Sequence, residues 1–184
     1  MCGITGFFVK NDTGISKKNL INATAHIHHR GPDSEGYFTK TINGTQQIAN
    51  NESEITNSEP LKIGIGFKRL SILDVEKGSQ PFTSPDGRYI AVFNGEIYNY
   101  KELKKELPEI SFSTDSDTEV ILELWKKYKE NSFDMLRGMF AFAIYDMITN
   151  ETIIARDHFG IKPLYFYKDE KKIIFSSEIK AIKK

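Results

Sequence analysis

Four short apolar segments follow one another in the last third of the chain, and they constrain the fold more than any other feature. They are MFAFAIYD, ETIIARD, PLYFY and KIIFSS, separated by the turn-forming stretches MITN, HFGIK and KDEK. Short runs of β-branched and aromatic residues separated by turns are typical of a strand meander. Strands in succession, without regular βαβ alternation, favour an antiparallel α+β or sandwich arrangement over a doubly wound parallel sheet.

The rest of the chain adds further strands and helices in an irregular order. Strands are predicted at CGITGFFV, LKIGIGF and RYIAVFN, and helices at SKKNLINATAHIHH, SDTEVILELWKKYKE and SEIKAIKK. Ser16 is expected to cap the first helix, which ends before RGPD because Pro32 disfavours helical geometry at the preceding residue. Residues 41–60 are polar and are expected to form an exposed, irregular excursion. A chain of 184 residues fits one domain.

Charge and composition exclude several classes of partner. The 25 basic residues balance the 25 acidic ones, so no overall field attracts nucleic acid or an anionic membrane. No apolar run approaches the ~18 residues needed to cross a bilayer, and the N-terminus lacks the pattern of a secretory signal. The sequence therefore predicts a cytoplasmic protein that binds neither nucleic acid nor membranes.

Nucleotide and metal motifs are also missing from the sequence. It contains no G-x-x-x-x-G-K-[ST] and no G-x-G-x-x-G that opens a helix. His26, His28 and His29 lie close together, but no second ligand cluster accompanies them. We expect no metal site.

The single cysteine is the second residue of the chain. A solitary thiol is most often a small buried hydrophobe. If Met1 is removed, however, the Cys2 thiol and a free α-amine share one residue. Their reference pKa values, about 8.5 and about 7.7–8.0, allow a proton to pass between them near neutral pH. The amine can then act as the general base for its own thiol, as in N-terminal threonine nucleophiles.

Polar residues at the predicted element ends have both a functional and a simpler interpretation. Asn94 and Gly95 follow RYIAVF and are either a pair of oxyanion donors at a strand end or an ordinary Asn-Gly turn. Arg69 ends LKIGIGF and is either a carboxylate clamp or a solvated arginine. Asp117 is either an ammonium ligand or one of several possible helix caps. In the RGPD corner, Arg30 is interpreted as a surface residue paired with Asp33.

Eight motifs occur in order along nearly the whole chain. They are MCGITGFF, HHRGPDSEG, RLSILD, FNGEIYNY, SDTEVIL, GMFAFAIYD, ARDHFGIKPLYFY and SSEIKAI. With these motifs the sequence resembles the N-terminal glutaminase domain of glutamine-hydrolysing asparagine synthetases. That domain is a class II glutamine amidotransferase of the N-terminal nucleophile hydrolase type.

The resemblance implies a fold and a reaction. The fold is a four-layer αββα sandwich with two antiparallel sheets between helices. Cys2 is implied as the nucleophile and its amine as the base, while Asn94 and Gly95 form the oxyanion hole. The reaction is attack of Cys2 on the side-chain amide of L-glutamine, release of ammonia, and hydrolysis of the glutamyl thioester to L-glutamate.

The same resemblance implies how glutamine is bound. Arg69 holds the α-carboxylate and Asp117 the α-ammonium group, and the backbone around Leu70, Ile72 and Glu96 lines the pocket. Relatives often carry histidine and arginine directly before RLSI, whereas this chain has Phe67 and Lys68 there. This departure leaves the Arg69 clamp intact and alters how the pocket is buttressed.

Family members continue into a synthetase domain that uses ATP to adenylate aspartate and receives the ammonia. Residues 1–184 are therefore expected to be the glutaminase domain alone, with the synthetase domain absent from this chain. No cofactor is expected here, because ATP and Mg²⁺ belong to that synthetase domain. The implied partners are L-glutamine and an ammonia-accepting synthetase domain or subunit, and a homodimer is an open option.

Two alternatives remain open at the level of sequence. In the first, the glutaminase supplies ammonia to a sugar or another carboxylate acceptor. In the second, the chain is a docking or regulatory module without catalysis. The second alternative is disfavoured because the sequence keeps every residue to which the resemblance gives a role in catalysis or in charged-group binding. These residues are Cys2, Arg69, Asn94, Gly95 and Asp117.

Overall fold

The computed structural model describes residues 1–10, 14–58, 60–70 and 79–183. In chain order the elements are β1 (Gly3–Val9), α1 (Lys17–His26), β2 (Ser34–Thr41), β3 (Gln46–Ala49), β4 (Leu61–Arg69), β5 (Phe82–Thr83), β6 (Tyr89–Ile97), α2 (Tyr100–Lys105), α3 (Asp117–Tyr128), β7 (Gly138–Asp146), β8 (Thr152–Arg156), β9 (Tyr165–Lys168), β10 (Lys172–Ser176) and α4 (Ile179–Ile182). Short 3-10 turns cover His28–Arg30, Glu52–Glu54 and Lys129–Met135.

The chain divides into two units, each with its own antiparallel sheet. The first unit contains described residues of 1–71 and 163–184, and the second those of 72–162. The first sheet has the strand order β3-β2-β4-β1-β10-β9, and the second has the order β5-β6-β7-β8. Every pairing between neighbouring strands is antiparallel. The predicted α+β class with two antiparallel sheets is confirmed.

In the first unit, β1 lies inside the sheet and α1 packs against β4. All seven residues of β1 are buried, and Leu20 and Thr24 are the buried residues of α1. A Cβ atom at Gly66 of β4 would lie 2.0 Å from Thr24 Oγ1, so glycine permits this close approach of helix to sheet. Ser16 occupies the N-cap position of α1, as predicted. Its side chain makes no capping hydrogen bond, however, because it bonds the Asn19 side chain rather than the helix backbone.

The prediction of an irregular excursion over residues 41–60 is wrong in part. The structure has a strand there, β3, which forms the edge of the first sheet and pairs with β2, with Lys40 opposite Gln46. The connecting turn contains Asn43 and Gly44, and Gly44 has a positive φ of 90°. An Asn-Gly pair between two extended segments is a hairpin signal, but the polar composition of QQIA obscured it.

The second unit is built on β6 and β7, which pair over nine residues from Tyr89 opposite Asp146 to Ile97 opposite Gly138. Helix α3 is amphipathic as predicted, and its buried apolar side chains are Val120, Ile121, Leu122, Leu124 and Trp125. They belong to a core with Phe93, Phe140 and Phe142. Burial of this apolar stripe is the main reason why the helix is stable in this position.

The four terminal strands are confirmed, but they do not form one meander. β7 and β8 lie in the second sheet, whereas β9 and β10 lie in the first. The chain therefore changes sheets between Arg156 and Tyr165. Helix α4 covers Ile179–Ile182 and is shorter than predicted. In the described ranges, no helix is long and apolar enough to span a bilayer.

Candidate active site

Cys2 lies immediately before β1 and is half-buried. Its Sγ lies 3.7 Å from the carbonyl oxygen of Leu70, to which the thiol donates a hydrogen bond. The contact arises because β1 pairs with β4 and places Gly3 opposite Lys68. A thiol that is only half-buried does not fit the simpler interpretation of a small residue in the core.

The guanidinium of Arg30 holds the backbone of Cys2. Arg30 Nε donates to the Cys2 carbonyl oxygen at 3.1 Å, and Nη1 donates to Glu178 Oε1 at 3.4 Å. His29 Nε2 lies 2.7 Å from the same Glu178 oxygen. The Arg30 side chain is only 9% exposed, so its interpretation as a surface residue is wrong. The spacing of 28 residues from Cys2 and 148 from Glu178 leaves no sequence signal for this cluster.

Arg69 is the last residue of β4, as predicted, and it is buried at 8% exposure. The alternative of a solvated arginine is therefore wrong. The RGPD corner packs against this strand end: Asp33 N donates to the Arg69 carbonyl at 3.0 Å. A Cβ atom at Gly31 would lie 2.4 Å from the Lys68 carbonyl oxygen, so the glycine of RGPD is required by a close backbone approach. Ile72, another predicted site residue, lies outside the described residues.

Asn94 and Gly95 lie inside β6, which continues to Ile97, so the prediction that the strand ends at Asn94 is wrong. Asn94 pairs with Ala141 and Gly95 with Phe140 of β7. Asn94 is 1% exposed, and its Nδ2 is buried without a hydrogen-bond partner among the described residues. A buried donor without a partner costs about 1–3 kcal/mol. This donor is available to form a hydrogen bond with a bound group.

The backbone N–H of Gly95 faces the edge of β6 that points away from β7, which we call the open edge. Phe140 directs both its N–H and its carbonyl to Asp157 on the β8 side, so Gly95 and Phe140 form a non-hydrogen-bonded pair. Along the open edge, Phe93 N donates to Gln80 Oε1 at 2.6 Å and Ile97 N donates to Asp117 Oδ2 at 3.0 Å. The Gly95 N–H points to this edge between those two bonds.

Asp117 is the first residue of α3, and its carboxylate is directed to the end of β6 by the bond from Ile97. Burial raises the pKa of Asp117 to about 6, and the nearby charge of Glu96 acts in the same direction. The N-cap of α3 is Ser116 and not Asp117: the Ser116 side chain accepts a hydrogen bond from Thr118 N at 3.2 Å. Backbone N–H groups at the start of the helix nevertheless act to lower the pKa of the Asp117 carboxyl.

A second carboxylate, Glu119, fixes the loop that leads into α3, and sequence reasoning missed it. Its oxygens accept hydrogen bonds from both the backbone N–H and the hydroxyl of Ser113 and of Thr114, at 2.7–2.9 Å. Burial acts to raise the pKa of Glu119, but these bonds outweigh it and hold the pKa below the usual value. The charged form is therefore stable inside the protein.

Over residues 1–184 the sequence matches the family described as glutamine amidotransferase domain. The chain belongs to this family. Asparagine synthetase [glutamine-hydrolyzing] 1 of Bacillus subtilis is 42% identical over 99% of this chain and 26% of that protein. Asparagine synthetase B [glutamine-hydrolyzing] of Escherichia coli is 35% identical over 99% of this chain and 30% of that protein. This glutamine amidotransferase domain spans 22–35% of the length of the curated relatives it matches.

Solved structures agree with this membership. The glutamine phosphoribosylpyrophosphate amidotransferase of B. subtilis is similar with a TM-score of 0.75 and 25% identity, over 99% of this chain and 43% of that one. A structure of the allosteric regulatory enzyme of purine biosynthesis has a TM-score of 0.76 at 25% identity. The predicted fold of the N-terminal nucleophile hydrolases is confirmed by this likeness.

Each unit of the amidotransferase domain holds one part of the predicted residue set. The first unit contains Cys2, Arg69 and Leu70, and the second contains Asn94, Gly95, Glu96 and Asp117. In the first, the ends of β1 and β4 bring the residues together, and in the second the open edge of β6 and the start of α3 do so. Among the residues that the structure describes, no cluster of three or more His, Cys, Asp or Glu could hold a metal ion.

Proposed function

We propose that this amidotransferase domain hydrolyses L-glutamine to L-glutamate and ammonia through a thioester at Cys2. The observation that carries the proposal is the buried, unpartnered Nδ2 of Asn94, whose neighbour in sequence, Gly95, directs its N–H to the open edge of β6. Two adjacent donors of this kind suit an oxyanion. Membership of the amidotransferase family supports the same reaction.

The reaction begins once Met1 is removed, which frees the α-amine of Cys2. The amine accepts the thiol proton, and Sγ attacks the side-chain carbonyl carbon of glutamine, forming an S–C bond and an oxyanion. Asn94 Nδ2 and the Gly95 N–H donate to that oxyanion. As the intermediate collapses, the C–N bond breaks and the amine returns its proton to the leaving nitrogen, which departs as ammonia. Water, deprotonated by the same amine, then hydrolyses the thioester and regenerates the thiol.

Substrate binding is assigned to two charged side chains. The guanidinium of Arg69 binds the α-carboxylate of glutamine, and the Asp117 carboxylate binds its α-ammonium group. The burial of Arg69 supports this role, since a partly dehydrated guanidinium binds a carboxylate more strongly than a solvated one. That the backbone of Leu70, Ile72 and Glu96 lines the glutamine pocket stays a prediction.

Ammonia needs an acceptor, and the relatives suggest one. Because they are described as glutamine-hydrolysing asparagine synthetases, we propose that the ammonia passes to an ATP-dependent synthetase domain or subunit that acts on aspartate. ATP and Mg²⁺ are used by that partner, and the glutaminase chemistry needs neither. Cytoplasmic residence and a homodimer stay predictions.

The decisive experiment measures glutamate release from L-glutamine by the purified protein, with intact mass to check for loss of Met1. Cys2→Ala is expected to abolish turnover. Asn94→Ala is expected to lower kcat by about 10²–10³-fold, the usual effect of removing one oxyanion donor. Thr83→Val is a matched control, because Thr83 Oγ1 in the same sheet is also buried without a partner among the described residues but has no proposed role. Turnover that persists in Cys2→Ala, or its absence from processed wild type, contradicts the proposal.

A further inference from the structure

The segment that follows β10 holds the start of β1. Ile4 N donates to Ser177 Oγ at 3.0 Å, and Ser177 N donates to the Ile4 carbonyl at 2.8 Å. Ser176 Oγ also donates to that carbonyl, at 3.3 Å. Two residues before Ile4 lies Cys2. Residues 176–178 therefore form a support for the strand that carries the nucleophile.

Glu178 completes this support through Arg30. One oxygen of its carboxylate, Oε1, accepts from Arg30 Nη1 and contacts His29 Nε2. The other, Oε2, lies 3.0 Å from Lys180 Nζ on the exposed side. Arg30 is a nearly buried cation, and a buried charge is costly unless a counter-charge accompanies it. Within the part of the chain that the structure describes, Glu178 supplies the carboxylate in hydrogen-bond contact with Arg30.

The hydrogen bond from Arg30 Nε to the Cys2 carbonyl affects the position of the Cys2 thiol and α-amine. In the processed chain, Cys2 keeps a single peptide link, which runs through that carbonyl to Gly3. Movement of the Cys2–Gly3 peptide plane would shift the Cα atom of Cys2, and with it both the thiol and the amine. A guanidinium that holds the carbonyl oxygen fixes this plane, so it maintains the position from which the thiol attacks.

We infer that Glu178 is a positioning residue of the glutaminase reaction, which acts by holding Arg30 against the Cys2 carbonyl. The inference rests on the proposed function and adds a residue to it. Glu178 touches neither the thiol nor the oxyanion donors. Its loss is therefore expected to affect the rate of attack rather than the binding of glutamine, and to lower kcat while KM stays nearly constant.

The local structure makes a selective substitution possible. Glu178 occupies the N-cap position of α4, but its side chain makes no capping hydrogen bond. Replacing the carboxylate therefore removes no capping hydrogen bond of that helix, and within it only the contact to Lys180. Lys180 offers a matched control, because Lys180→Met also removes a contact to Glu178, on the side away from Arg30.

The test compares wild type, Glu178→Gln, Glu178→Ala and Lys180→Met in the glutaminase assay, with thermal melting of each. Both Glu178 variants are expected to lose ~10–100-fold in kcat, with KM for glutamine within about twofold. Their melting temperatures should be lower than that of wild type, because Arg30 loses its counter-charge, but should stay above the assay temperature. Lys180→Met is expected to keep wild-type kcat. A diazoketone analogue of glutamine gives a second measure: the maximal rate of Cys2 labelling should fall in the Glu178 variants, while its half-saturation concentration should not change.

The outcomes separate this inference from the proposed function. Wild-type protein without Cys2-dependent turnover overturns both. Active wild type with unchanged kcat in Glu178→Gln overturns the positioning role alone. A rise in KM without a fall in kcat, or a fall in kcat that only follows loss of folded protein, overturns it as well.

Discussion

The carboxylate of Asp117 accepts a hydrogen bond from the backbone N–H of Ile97 at 3.0 Å, which joins the first residue of α3 to the last residue of β6. Gln80 makes the equivalent contact with Phe93 N, two residues before Gly95. Side chains from a loop and a helix thus occupy the positions that a neighbouring strand would otherwise fill. Because they flank Gly95, its N–H keeps its direction toward the open edge.

The buried carboxylate of Asp117 predicts a specific pH dependence of stability. Its pKa rises from 3.8 to about 6 on folding, so its contribution favours the folded state below pH 4 and is lost as pH rises through 6. Asp117→Asn removes the charge and keeps an oxygen for Ile97 N–H. Relative to wild type, the variant should gain up to ~3 kcal/mol in the free energy of unfolding between pH 4 and pH 8. Urea denaturation at both pH values measures this, and a pH-independent difference would refute it.

The same substitution is expected to weaken glutamine binding. An ionised Asp117 is needed to attract the α-ammonium group, so KM of wild type should rise as pH falls below 6. In Asp117→Asn, KM should be high and nearly independent of pH over this range. Steady-state kinetics from pH 5 to pH 8 measures both. A KM of the variant equal to that of wild type at pH 8 would exclude an ammonium-binding role.

Glu119→Gln is expected to destabilise the second unit. The substitution replaces one carboxylate oxygen by an NH₂ group, which cannot accept hydrogen bonds from Ser113 or Thr114. The loss of two of these four hydrogen bonds to a buried carboxylate should cost about 1–3 kcal/mol in urea denaturation at pH 7. Glu123→Gln is the control, since this buried carboxylate of the same helix accepts a hydrogen bond from Lys126 Nζ at 2.9 Å on the helix surface. An equal loss in both variants would contradict the special role of Glu119.

Lys68 and Glu35 form an ion pair, which we expect to support the strand that carries Arg69. These residues lie opposite each other in β4 and β2, and Lys68 Nζ bonds the Glu35 carboxylate. Lys68→Met leaves Glu35 without this cation and should lower the free energy of unfolding by about 3 kcal/mol. Lys68→Arg should largely preserve it.

A double-mutant cycle with Glu35→Gln separates the ion pair from other effects of the lysine. Because Arg69 follows Lys68 directly, Lys68→Met should also raise KM for glutamine. A coupling energy near zero would show that the two side chains act independently. In that case the pair would not support the strand.

Gly95→Ala is expected to disrupt the pairing of β6 with β7. A Cβ atom at this position would lie 2.2 Å from the Met139 carbonyl oxygen, a backbone atom that cannot move without breaking the sheet register. Overpacking of this kind costs ~1–3 kcal/mol. Gly87→Ala is the comparison, because its Cβ would meet nothing within 4 Å and its φ of 70° is the only source of strain. If Gly87→Ala lowered the melting temperature more than Gly95→Ala does, the expected overpacking at Gly95 would be contradicted.

The local sequence pattern predicted most helices and strands because their residues have strong helix or strand propensities. The apolar stripe of α3 and the β-branched runs of β1, β4 and β7 are independent of what they later contact. The hairpin between β2 and β3 was missed because polar side chains suit an edge strand as well as a loop. The position of Asn94 was misjudged because Asn and Gly favour turns locally, whereas pairing with β7 extends the strand through them.

The sequence by itself determined the α+β class, the location of Cys2 before a buried strand, and through its ordered motifs the glutamine amidotransferase family. Only the tertiary structure decided that β8 and β9 belong to different sheets, that Arg30 holds the Cys2 carbonyl, and that Glu178 holds Arg30. The physical reason is distance along the chain. Strand and helix propensities arise from neighbouring residues, but a hydrogen bond between residues 148 positions apart exists only once the whole sheet has formed.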